Sequence, residues 1–169
     1  MMASIEIRRA EAADAAALSR FAARLFRATY GEDTPAADLE AYVGKAFRPD
    51  IQAAEIGDPE AAVFLATDGG TIAGYAYLVV PPSKADPGLL SRIYIDAAWR
   101  GQGLASRLLD AVVSECVPRG VERLQLTVYE KNARAIAFYN KVGFVPVGRT
   151  TFTVGGDVQT DIVMERATR

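Results

Sequence analysis

Hydrophobic positions along the chain change period several times, and each change marks an element. Ile5 and Ile7 alternate with polar neighbours and predict a short strand. From Ala12 to Arg27 the period lengthens: Leu18, Phe21, Ala22, Leu25 and Phe26 recur at three- and four-residue steps, an amphipathic helix. Leu39, Tyr42, Val43 and Phe47 mark a second helix, with Thr34-Pro35 as its expected N-cap and first-turn pair. "AAVFLATDGGTIAGYAYLVV" (61–80) reads as a hairpin turning at Asp68-Gly69-Gly70, and "PPSKADPG" (81–88) as a loop. A strand over Leu89 to Ile95 follows, then a helix opened by glycines and running to about Cys116, stopped by Pro118 and Gly120. "VERLQLTVY" (121–129) predicts a strand, and Asn132 to Val142 a helix closed by Gly143. "VPVGRTTFTV" and "VQTDIVMER" around Gly155-Gly156-Asp157 complete a C-terminal hairpin.

Strand–helix–strand units beside hairpins imply an α/β (α+β) domain with helices packed on a mixed sheet. At 169 residues the chain suits one domain spanning 1–169. No repeat, low-complexity tract or linker interrupts it.

Composition narrows the chemistry. A net charge of −2 offers no basic face, so no nucleic-acid partner is expected. No stretch is apolar and long enough to span a bilayer and no leader-like run opens the chain, so a cytoplasmic protein without membrane contact is expected. Histidine is absent, which removes Ser-His-Asp, Cys-His and His-Glu-x-x-His machinery, and no metal is expected. The single cysteine, Cys116, lies in an apolar helical row and reads as a buried structural thiol.

The candidate chemistry lies in "RIYIDAAWRGQGLASRLLDAVV" (92–113). Glycines at a strand-to-helix junction suggest three phosphate-binding patterns. The P-loop fails because no lysine follows the second glycine. The dinucleotide fingerprint fails because Ser106 stands where its third glycine belongs and five residues separate Ile95 from Gly101. The third pattern, Gln/Arg-x-x-Gly-x-Gly/Ala, is complete in Arg100-Gly101-Gln102-Gly103-Leu104-Ala105. Unpaired amides at a helix N-terminus attract an anion, glycine lets it come close, Arg100 and Arg107 add charge, and Ser106 offers a hydroxyl. A glycine-rich loop that merely turns the chain is the plainer reading of the same residues.

With "LLSRIYIDAAWRGQGLASRLLDAVV" and "LTVYEKNARAIAFYNKVGFVPVG" (126–148), the chain resembles the GNAT superfamily of N-acetyltransferases. Its front segment and the tail "FTVGGDVQTDIVMER" resemble, more loosely, the PaiA-type spermidine/spermine acetyltransferases. The resemblance implies a GNAT-like fold: a central, mostly antiparallel mixed sheet with helices on both faces and two parallel strands splayed apart, here those ending at Ile95 and Val128. It implies acetyl-CoA as co-substrate, its pantetheine arm on backbone groups of Ile93, Tyr94 and Ile95 and its pyrophosphate on Arg100, Gly101, Gln102, Gly103, Leu104, Ala105 and Ser106. Asn132 reads equally as a helix N-cap and as a partner of the cofactor arm. Arg134 reads first as a solvated helix residue and, by the resemblance, alternatively as a neighbour of the cofactor phosphates.

By the same resemblance Tyr139, in "AFYNKVGF", is the general acid that protonates the departing thiolate; otherwise it is a tyrosine at the edge of an apolar stripe with its hydroxyl in water. A phenol titrates at about 10 and a thiol at about 8.5, so the tyrosine is protonated at neutral pH. Some family members carry a glutamate base on the splayed strand; "LLSRIYI" has no carboxylate, and no base is assigned. A covalent acetyl-cysteine route is disfavoured because Cys116 lies several helical turns from the cofactor end. The expected reaction is direct attack of a primary amine on acetyl-CoA in a ternary complex. The acceptor is a small molecule, with a polyamine favoured by the tail and by Glu32, Asp33, Asp157 and Asp161. An amino-group drug or metabolite, a protein N-terminus, and a non-catalytic acyl-CoA sensor are the alternatives. A homodimer is compatible with the sequence, which is otherwise silent on oligomeric state.

Overall fold

A computed structural model describes residues 4–169. Strand β1 (Ile5–Arg9) leads through a single 3-10 turn (Ala12–Asp14) into helix α1 (Ala15–Tyr30), followed by α2 (Ala36–Ala46) and α3 (Pro49–Gly57). Strands β2 (Ala61–Asp68), β3 (Thr71–Val79) and β4 (Gly88–Ile95) follow, then α4 (Leu104–Cys116), β5 (Arg123–Tyr129), α5 (Ala133–Lys141), β6 (Val145–Val154) and β7 (Asp157–Ala167). The seven strands form one sheet in the order β1-β2-β3-β4-β5-β7-β6. Every neighbouring pair is antiparallel except β4 and β5.

Both faces are covered, as the period-2 arithmetic of β2 requires. Phe64 and Ala66 point to the side of α4 and α5, where Leu104, Leu108, Val112 and Phe144 pack. Val63 and Leu65 point to the side of α1 and α2, among Leu18, Phe21, Leu25, Phe26 and Val43. The aromatic row Phe26, Tyr30 and Tyr42 continues this second core, with ring centroids 4.4 Å and 4.7 Å from Phe26.

Three local expectations need correction. The first apolar stripe begins with a 3-10 turn, and its α-helix runs on to Tyr30 rather than stopping at Arg27. Thr34 does not cap α2: Pro35 holds that place, and the Thr34 hydroxyl is buried, accepting from Gln159 Nε2 at 2.7 Å. Helix α3 was not legible, because its one fully buried position is polar. Gln52 is 1 % exposed and donates from Nε2 to the Ala46 carbonyl at 3.0 Å. No helix is long and apolar enough to cross a membrane among the described residues.

Candidate active site

The parallel pair β4–β5 is joined only at Gly88 with Leu124 and Leu89 with Gln125. Beyond those rungs the strands part, although β4 stays paired with β3 as far as Ile95 and β5 with β7 as far as Tyr129. Ile93, Tyr94 and Ile95 therefore have no ladder partner on the β5 side, and their backbone edge faces a gap in the middle of the sheet. A register shift between Tyr77 and Leu78 of β3 interrupts the β3–β4 ladder before this edge.

At the end of β4 the chain turns through Ala97–Trp99, fixed by Asp96. Its carboxylate accepts from the Ala98 amide at 3.1 Å and pairs with Arg24 at 2.8 Å, which holds it below the usual carboxylate range. Gly101 (φ 80°) and Gly103 (φ 75°) then adopt left-handed backbone that side chains disfavour. Gly103 is the N-cap of α4, and the first backbone bond of the helix runs from Arg107 to the Gly103 carbonyl at 3.1 Å. The amides of Leu104, Ala105 and Ser106 precede that bond and have no helical acceptor. Leu104 is buried and pins the helix start, while Arg100, Gly101, Gln102, Gly103 and Ser106 are exposed and Ala105 half-buried. The Arg107 guanidinium donates one N–H to the Ile5 carbonyl at 3.0 Å.

On α5, Asn132 caps the helix, its side-chain oxygen accepting from the Ala135 amide at 3.2 Å. Arg134 is exposed. Tyr139 belongs to the core cluster on the α4 side of the sheet. It is 8 % exposed, packed at 5.6 Å against both Phe138 and Phe144. Burial raises its phenol above the ordinary value and the nearby Tyr94 adds to the shift, so the group stays protonated through neutral pH. Tyr94 projects from β4 to the opposite face, 5.7 Å from Tyr75, and is raised for the same first reason. The two side chains thus belong to the cores on opposite faces of the sheet.

The acidic residues divide. Glu32 is exposed, Asp33 lies 3.8 Å from Lys131, and Asp157 accepts from Gln159 Nε2 at 3.0 Å. Asp161 is 3 % exposed and sits opposite Tyr129 across the β5–β7 ladder. Burial first, and then Asp33 and Asp157, raise the Tyr129 phenol. Cys116 is fully buried, and burial pushes its thiol up to about 11, which suits an inert core residue. Beside the gap stand residues the sequence did not single out: Tyr30, Phe152 and Thr127. The Tyr30 ring lies 5.5 Å from Tyr129 and 5.9 Å from Phe152. The first two read as core in a one-dimensional pattern, and Thr127 as an ordinary outward strand position.

Residues 21–144 match the acetyltransferase (GNAT) family model. The chain is 36 % identical over 109 residues to an uncharacterised N-acetyltransferase of Mycobacterium bovis, covering 64 % of this chain and 69 % of that one. It is 37 % identical over 81 residues to the ribosomal protein bS18-alanine N-acetyltransferase of Escherichia coli, 48 % of this chain and 53 % of that one. Its fold is similar to that of the PaiA N-acetyltransferase of Thermoplasma acidophilum, crystallised in complex with coenzyme A: TM-score 0.84 at 21 % identity, over 97 % of this chain and 99 % of that one. A sheet opened between the parallel strands β4 and β5, with a glycine-rich helix start at the mouth of the opening, is thus the frame of an acyltransferase, and the chain belongs to the GNAT family of N-acetyltransferases.

Proposed function

We propose that this chain is one GNAT domain that transfers the acetyl group of acetyl-CoA to a primary amine of a small molecule, a polyamine first among them. The observation that carries this reading is the parting of β4 from β5 after Leu89 and Gln125, with an anion-suited helix start at one end and a buried phenol beside it. The residues fit the ligand. Open backbone at Ile93, Tyr94 and Ile95 suits the amides of a pantetheine arm. The free amides over Gly101–Ser106, with Arg100 beside them, suit a pyrophosphate. The Asn132 oxygen gives one lone pair to its cap, which leaves its second and the side-chain NH₂ for the arm.

When bound, acetyl-CoA supplies a thioester carbonyl open to an amine nitrogen. Tyr139 holds a proton at its phenolic oxygen and delivers it to the departing sulfur. The burial that raises the phenol also destabilises a thiolate in the same enclosure, so the transfer is not opposed by a simple comparison of solution acidities.

The test is thiol release from acetyl-CoA against a panel of amines, with melting curves. Acetyl-CoA is expected to raise the melting temperature by mass action and NADH to leave it unmoved. Spermidine is expected to outcompete monoamines of equal length. Equal stabilisation by NADH, or no thiol release with any amine, overturns the assignment. The Escherichia coli relative acts on a ribosomal-protein alanine, so a peptide with N-terminal alanine belongs in the panel. Preference for that peptide replaces the polyamine with a protein N-terminus.

A further inference from the structure

β5 is an interior strand, flanked by β4 and β7, and its neighbours Leu126, Val128 and Tyr129 are buried. Thr127 alone among them is exposed. An exposed side chain in the middle of an interior strand means that nothing covers the sheet there, and this spot borders the stretch where β4 has moved away. Across the β5–β7 ladder Thr127 faces Val163 and Tyr129 faces Asp161, so Thr127 and Asp161 are diagonal neighbours on one face.

Asp161 is more than nine-tenths buried, and its Oδ1 has no hydrogen-bond partner among the described residues. Neither is any lysine or arginine among the described residues ion-paired with it; Arg92, on the same face of the sheet, is bound to Glu55 at 2.8 Å. The groups that face Asp161 are phenols and hydroxyls: Tyr30 from α1, Tyr42 from α2, Tyr94 from β4 and Thr127 from β5, with Glu130 as the one further charge. Glu130 is itself paired with Arg149 at 3.2 Å. A buried carboxylate with an unused oxygen and no cation is costly unless a cation arrives from outside.

We propose that Thr127 and Asp161 form the acceptor subsite. The primary ammonium of the amine donates to the Thr127 hydroxyl, and Asp161, directly behind it, receives the proton passed through that hydroxyl. Asp161 is a positioning residue that acts through Thr127. This rests on the acetyl-transfer reading above and adds to it the proton acceptor missing from β4. An N–H bond of the ammonium breaks and its proton moves to the Thr127 oxygen as that hydroxyl yields its own to the carboxylate. The freed lone pair forms the C–N bond to the acetyl carbon of acetyl-CoA, and the C–S electrons leave with sulfur. Sulfur takes its proton from Tyr139, and the phenolate recovers one from the new amide nitrogen. Asp161 returns its proton to solvent, one per acetyl group transferred.

The test compares the wild type with Asp161→Asn, Asp161→Glu and Thr127→Val, using spermidine as probe. In the wild type kcat/KM is expected to be flat with pH between about 6 and 9, because the ammonium is taken up and deprotonated in place, well below an amine pKa of about 10.4. In Asp161→Asn it should fall about 10²-fold near neutrality and climb about tenfold per pH unit, because only free amine then reacts. Thr127→Val should lose about tenfold or more, and Asp161→Glu should restore part of the flat region. Without turnover, spermidine added to the coenzyme A complex should raise the melting temperature of the wild type and not of Asp161→Asn. Wild-type kcat/KM that already climbs tenfold per pH unit overturns the proposal, and needs no variant to fold. So does Asp161→Asn with unchanged kcat/KM. Both leave the acetyl-transfer reading standing, whereas a wild type that acetylates no amine overturns both.

Discussion

Gly156 donates its backbone N–H to Asp38 Oδ1 at 2.7 Å, tying the tip of the β6–β7 hairpin to the first turn of α2. The preceding Gly155 (φ 61°) lies so close to the Asp38 backbone that a β-carbon would collide with it. Phe152 and Asp161 on the hairpin are thereby held against Tyr42 on α2, with the Phe152 and Tyr42 rings 5.3 Å apart.

Asp38→Ala removes this tie and leaves both elements otherwise intact. A hydrogen bond to a charged acceptor contributes about 1.5–3 kcal/mol, less where water competes, so a loss of about 1 kcal/mol is expected. That corresponds to a melting temperature about 2–4 °C lower. The KM for spermidine should rise several-fold while that for acetyl-CoA, held at the start of α4, stays put. Steady-state kinetics with each substrate varied in turn decides the matter.

Tyr139→Phe keeps the buried ring and deletes the hydroxyl. Folding and acetyl-CoA affinity should hardly change, and kcat should fall by about 10²–10⁴-fold. Because burial raises this phenol, its deprotonation lies above the ordinary value of about 10. Wild-type kcat should therefore show no loss on the basic side between pH 8 and 10. A decline in that window, or unaltered turnover in the variant, shows that the proton on sulfur comes from elsewhere.

Gly103→Ala tests the cradle. A left-handed backbone at a residue with a β-carbon costs about 1–2 kcal/mol, and relaxing it moves the first amides of α4. The expected outcome is a dissociation constant for coenzyme A raised about tenfold or more, read by calorimetry, with the KM for amine little changed.

Asp161→Asn has a stability signature as well. Burial raises the carboxyl of Asp161 above its ordinary range, against the opposing pull of Thr127. A carboxyl raised on folding favours the folded chain most at low pH, below its unfolded value of about 3.9, and that advantage is lost as pH rises through the folded value. Removing the charge should therefore stabilise the protein at pH 7, by about 2–4 °C for each kcal/mol gained, and the difference should fade toward pH 4. Melting curves of the two proteins across this range provide the check.

The sheet, its glycine-rich helix start and Tyr139 were legible because each leaves a local mark: alternation, a spacing of glycines, a stripe ending in Gly143. Helix α3 left none, since Gln52 fills its buried place by bonding the Ala46 carbonyl. Thr34 resembled a helix cap because capping residues are chosen by side chain, and only the fold brings Gln159 to its hydroxyl. Asp161 looked like one surface acid among four. Its isolation depends on residues more than a hundred positions away in α1 and α2, and no window along the chain contains them.

The parting of β4 from β5 also has a mechanical side. Strands β1 to β4 and β5 to β7 are two ribbons stitched by a pair of rungs at Gly88–Leu124 and Leu89–Gln125 and otherwise spanned by side chains and connecting segments. Such a seam can breathe without either ribbon unravelling, and the amplitude grows with distance from the stitch, toward Ile95 and Tyr129. A ligand bonded along the free edge of β4 would act as a splint across the seam. Slowed amide exchange confined to the outer turns of both ribbons, with the stitched end unchanged, is the pattern such a splint would leave.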